Sequence, residues 1–149
     1  MTAKADFTEE EWRQILEAPP SAGLVVIASD RGGSIRETFS MAKAYAEAHR
    51  EPGQSELLDE IVSARPEVDR TRFKTPEEMR KNCLQNVRDA IAVLNQKASP
   101  DEVEAYRRFV LALVNRVADA RKEGFMGLSG ERVSEDERSA IDEITAALS

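Results

Sequence analysis

Apolar residues recur along this chain at intervals of three and four, in blocks separated by short stretches rich in glycine, proline and charge. The first block carries Trp12, Ile15 and Leu16 on one face and predicts a helix from Thr8, with Ala18-Pro19-Pro20 as its stop. Residues 21–29 hold the run AGLVVIA, which periodicity leaves open between a short buried helix and a strand. A helix from Ser34 to about His49 follows, with Ile35, Phe39, Ala42 and Ala46 on one stripe and Met41 and Tyr45 beside it. A shorter one, from about Ser55 to Ala64, buries Leu57, Leu58, Ile61 and Val62. Arg65 to Lys74 reads as an exposed connection.

Two longer blocks come next. Met79, Cys83, Val87, Ala90 or Ile91, and Leu94 predict a helix from Thr75 to about Gln96. Val103, Tyr106, Val110, Leu113 or Val114, and Val117 predict another from Ser99. Phe109 and Leu111 add apolar bulk to its other sides, so it is the expected central, buried helix near residues 100–122. Ile141, Ile144 and Leu148 predict a last helix from Ser134. The expected fold is all-α, a single compact bundle of six to seven helices in one domain.

The helix starts are marked by a repeated spacing of Ser or Thr, two residues, then Glu. It occurs at Thr8 to Glu11, Ser34 to Glu37, Thr75 to Glu78, Ser99 to Glu102 and Ser134 to Glu137. This is the capping box, in which the hydroxyl and the carboxylate each accept a backbone N–H that the first turn leaves unpaired. Phe7 and Trp12 bracket the first box with the spacing of a hydrophobic staple. The boxes at Ser34 and Ser134 differ from the others, because each follows a glycine-containing turn with acidic residues around it.

Charge narrows the function classes. The 149 residues carry a formal net charge of -7, which opposes non-specific attachment to nucleic acid or to an anionic membrane surface. Cys83, the single cysteine, has no thiol to pair with and reads as a small core residue. The N-terminal residues lack the apolar run of a signal peptide and Leu24 to Ala28 is too short to span a bilayer, so the expected location is the cytoplasm.

Chemistry-bearing patterns are few. LVVIASDRGGS before a helix suggests a phosphate-cradling turn, but neither G-x-G-x-x-G nor G-x-x-x-x-G-K-[ST] is present. Asp30 and Glu37 flank the same turn, and two carboxylates converging there suit a hard divalent cation. Asp119, Glu123 and Glu137 form a weaker echo near the second glycine loop, although an EF-hand fails because Arg121 and Gly130 fall at ligand positions.

The spacing Asp30-x-Gly32-x-Ser34-x-x-Glu37 resembles the tellurite-resistance TerB-type helical proteins. The resemblance covers Val25 to Glu37 and, more loosely, Val117 to Ile144, with Arg31 and Gly130 as departures. It implies a helical fold whose paired acidic turns are associated with metal binding, with Asp30, Glu37, Asp119, Glu123 and Glu137 as the candidate ligands. Phe7-Thr8, Glu11-Trp12, Ile15-Leu16, Ala18-Pro19, the AGLVVIA run and Arg116 through GFMGLSGERVSEDE also resemble an uncharacterised family of small bacterial helical proteins. That resemblance implies a shared helical fold and carries no activity.

The loop Gly124-Phe125-Met126-Gly127-Leu128-Ser129-Gly130 combines three glycines with three large apolar side chains. It is either a packed plug at the end of the bundle or a docking surface for a partner chain or ligand. Trp12 divides the same way between staple and partner contact. His49, the single histidine, stands at a predicted helix end beside Arg50, where a cation complements the helix dipole, and no nucleophile-base pair can be assembled around it. The expectation is a non-catalytic protein-interaction module without a required cofactor, meeting a partner protein or its own copy. The alternative is a metal-binding stress or sensing module.

Overall fold

Capping chemistry sets where the helices begin. The computed structural model describes residues 4–28, 35–50, 56–64, 74–124 and 135–149. A short 3-10 turn, Lys4–Asp6, precedes six α-helices: α1 (Glu9–Ala28), α2 (Ile35–Arg50), α3 (Glu56–Ser63), α4 (Pro76–Lys97), α5 (Pro100–Gly124) and α6 (Glu135–Leu148). No strand occurs among the described residues, so the chain is all-α.

At Thr8 the box is complete: the Glu11 N–H donates to Thr8 Oγ1 at 3.1 Å and the Thr8 N–H donates to Glu11 Oε1 at 2.9 Å. Ser99 and Glu102 repeat it at 3.2 and 3.0 Å. At Thr75 the forward bond is present at 3.0 Å, but the Glu78 carboxylate accepts from the Lys74 N–H, one residue earlier than the reciprocal bond expected. Phe7 and Trp12 are buried with ring centroids 5.9 Å apart, as the staple requires. Ser34 and Ser134 lie outside the described residues.

The first helix does not stop at Ala18-Pro19-Pro20. It runs through both prolines to Ala28, and the AGLVVIA run is its second half, a helix and not a strand. Pro19 has no N–H to offer the Ile15 carbonyl four residues back. The Tyr106 hydroxyl, from α5, supplies the missing donor at 2.8 Å in a buried position. Asn86 Nδ2, from α4, donates at 2.9 Å to the neighbouring Gln14 carbonyl. Two interior prolines cost about 6 kcal/mol at about 3 each. Burial of Leu24, Val25, Val26 and Ile27 returns about 6 to 12 kcal/mol at about 1.5 to 3 each, so tertiary packing overrides the local stop signal.

That packing encloses α1 more fully than any periodicity indicated. Every residue from Ala18 to Ile27 is buried. The helix α5 occupies the centre in another sense, because it packs against each of the other five. Its inward residues include Val103, Tyr106, Val110, Leu113, Val114 and Val117, yet Glu104, Arg108, Ala112 and Asn115 leave it one exposed face. The register of α2 also differs from expectation. Met41, Ala44 and Tyr45 are buried and Ala42 and Ala46 are exposed, so the described inward face is rotated from the predicted stripe. In α3, α4 and α6 the predicted apolar faces point inward, with Met79 and Ile141 half-buried at the edge.

Two extensive helix pairs, α1 with α4 and α2 with α5, frame the bundle. Lys97, in the last turn of α4, fastens the first pair: its Nζ lies 2.6 Å from Glu11 Oε1, donates to the Asp6 carbonyl at 3.2 Å, and stands 5.8 Å from the Phe7 ring centre. The second pair is joined by Tyr45 and Phe109, edge to face at 5.0 Å, and by an ion pair between Arg116 and Glu47. Gly23 lets α1 meet both, since a methyl group there would lie 2.4 Å from Met41 Sδ and 3.2 Å from Leu113 Cδ2. The last helix is held by the two-pronged Arg80–Glu143 contact and by Arg107, whose Nε donates to the Leu148 carbonyl at the C-terminal end of α6.

Candidate functional site

The residues singled out from the sequence are not assembled into one place by the described structure. Phe125, Met126, Gly127, Leu128 and Gly130 lie outside the described residues, and Gly124 is the last residue of α5. Asp30 also lies outside them. Glu37 falls in the first turns of α2, Asp119 and Glu123 near the end of α5, and Glu137 in the first turn of α6, with side chains outside the described set. Among the described residues no three of His, Cys, Asp and Glu come together in a way that could hold a metal ion. Trp12 packs inside as the staple, and Cys83 is a buried core thiol.

A different feature emerges where α2, α3 and α5 meet. Ala44 and Ala48 from α2, Leu58 from α3, and Phe109 and Ala112 from α5 line an opening of about 260 Å³. Glu47, Arg108 and Arg116 stand on its rim. The three alanines explain why it exists: two helices packed side by side diverge from one another, and short side chains leave the space between them unfilled. Phe109 forms a firm wall because Tyr45 supports its ring from within the core.

The rim is charged and mutually paired. Arg116 bridges from α5 to Glu47 on α2, while Arg108 Nε lies 3.5 Å from Glu104 Oε1 one turn back along its own helix. The described residues lining the opening include no Ser, Thr, Cys, His or Asp, and the one carboxylate, Glu47, is ion-paired. Such a lining can receive an apolar group and orient a charge beside it; it holds no nucleophile and no acid-base pair.

Two other polar features are structural. Burial pushes the hydroxyls of Tyr45 and Tyr106 well above the usual phenol range. Tyr106 has its carbonyl acceptor, whereas Tyr45 finds no hydrogen-bond partner among the described residues. Lys97, hydrogen-bonded to the Glu11 carboxylate, and the Thr8 backbone N–H hold Glu11 below the ordinary glutamate value.

No family model, curated protein or solved structure matches this chain. No helix among the described residues is long and apolar enough to cross a membrane.

The opening was missed in the sequence because its residues carry little signal singly. What could have marked it is the exposed series Arg108, Ala112, Arg116, spaced by four on α5, with a small residue between two guanidiniums. Ala44 and Ala48 repeat the four-residue spacing on α2.

Proposed function

We propose that the protein is a non-catalytic interaction module that docks a helical segment of a partner protein in the groove between α2, α3 and α5. The observation that carries this reading is the groove's composition: an apolar wall and floor of Phe109, Leu58 and three alanines, ringed by charges. A helix laid between two others places one ridge of side chains in the space between them, and small residues let it approach closely. The charged rim then fixes orientation and register. Absence of a nucleophile among the described lining residues favours binding over bond-breaking.

The test uses position 112, which is exposed and tolerates change. A photo-crosslinking amino acid at 112 captures the partner from the source cell, and the captured protein is then purified and titrated against wild type and Ala112→Trp. Docking in the groove requires at least a tenfold loss of affinity in the tryptophan variant, with its melting temperature unchanged. A purified partner that binds both proteins equally would sink the proposal.

A further inference from the structure

We infer that the segment docked in this groove is an acidic amphipathic helix, and that Glu47 occupies the place of one of its carboxylates in the free protein. The inference rests on the docking reading and adds the chemistry of the partner. In a chain of net charge -7, the rim is locally of the other sign, with two guanidiniums against one carboxylate. A basic segment would be drawn to the acidic molecule at large; only an acidic one gains from this rim in particular.

Geometry sets the spacing. Arg108 and Arg116 are eight residues apart on one helix, about 12 Å at 1.5 Å per residue. Two turns of a partner helix cover that distance, with Ala112 midway as the point of close approach and the Phe109 and Leu58 side chains ready for an aliphatic anchor. Guanidinium forks recognise carboxylates through paired N–H groups. Carboxylates about two turns apart, with a leucine or valine between them, match the three features in order.

Both arginines are held loosely enough to change partners. Arg108 has a side chain 72% exposed and reaches Glu104 only at 3.5 Å. Arg116 and Glu47 have side chains 36% and 55% exposed, in the range where solvent screening leaves an ion pair weak. Glu47 therefore acts as an internal competitor. An incoming carboxylate takes over Arg116, and Glu47 swings out to water. The pair keeps the guanidinium oriented in the free protein, at the expense of some affinity.

The experiment measures fluorescence anisotropy with two labelled helical peptides of about 20 residues, long enough to form helix in isolation. One has a central leucine with glutamates one turn to each side; its twin has lysines in their place. The acidic peptide should bind wild type at least tenfold more tightly than the twin, and Arg108→Gln with Arg116→Gln should remove that preference. Glu47→Gln should strengthen acidic-peptide binding several-fold, and Ala112→Trp should abolish it. Equal binding of both peptides, lost in Ala112→Trp, would overturn the acidic specificity while leaving groove docking intact. Binding of neither peptide, or weaker binding to Glu47→Gln, would overturn the inference, and the position-112 crosslink would then judge docking by itself. Concentration-dependent dimerisation of the protein that Ala112→Trp abolishes would overturn it in favour of a second copy.

Discussion

Replacing Tyr106 with phenylalanine removes one oxygen, and the consequence lies 91 residues away at the Ile15 carbonyl. That carbonyl has no helical donor because residue 19 is proline, so the variant leaves it buried and unpaired. The loss combines a hydrogen bond worth about 1 kcal/mol with the desolvation of an orphaned acceptor, about 1 to 3 kcal/mol, for a total near 2 to 3 kcal/mol. In a chain of this length that is a fall in melting temperature of about 4 to 12 °C. Tyr45→Phe is the control. It deletes a buried hydroxyl that has no partner among the described residues, and should be neutral or stabilise by up to about 1 kcal/mol. Urea unfolding of both variants measures the contrast, and Pro19→Ala sharpens it. Restoring an N–H at residue 19 gives Ile15 a backbone donor, so Tyr106→Phe should cost about 1 kcal/mol less in that background. The reasoning fails if Tyr106→Phe costs no more than Tyr45→Phe, or costs the same whether residue 19 is proline or alanine.

Gly23→Val should destabilise by about 2 to 4 kcal/mol, since even its first carbon would displace Met41 and press on Leu113, and Met41→Ala in the same chain should recover part of the loss in urea midpoints. Glu11→Gln keeps a capping acceptor but removes the charge facing Lys97. Because the Glu11 carboxyl is held below the ordinary value, its contribution is present above the unfolded pKa near 4.3 and disappears as pH falls through the folded one. The stability gap between wild type and Glu11→Gln should therefore be largest near pH 7 and close toward pH 3; a gap independent of pH would contradict the assignment. Arg80→Ala at the half-exposed contact with Glu143 should cost no more than about 1 kcal/mol by thermal melt.

Helix starts were legible because a capping box is local chemistry: Thr8 and Glu11, or Ser99 and Glu102, need nothing beyond a four-residue window. The helix through Pro19 and Pro20 was not, because the group that makes it tolerable is a side chain from another helix. In α2 two candidate stripes compete, one through Ala42 and Ala46 and the other through Met41, Ala44 and Tyr45. Which faces inward depends on where α5 places Phe109, a fact outside the segment. The groove escaped notice for a related reason. Alanines at 44, 48 and 112 say little in one dimension, and the space they leave exists only once α2 and α5 lie together. The acidic turns and the glycine loop, which drew attention first, contribute no described side chain to it.

The bond from Tyr106 to Ile15 also bears on the order in which the chain folds. A helix normally grows from a local nucleus one residue at a time, and α1 can do so from its cap at Thr8 as far as the prolines. Beyond them it waits for a donor that arrives only when α5 docks, so a helix that is local by contact becomes non-local in time. Substitutions in Leu24 to Ile27 should then chiefly speed unfolding, and those near Trp12 and Ile15 should chiefly slow folding. A single continuous helix in the native state would thus be two separate events on the way to it.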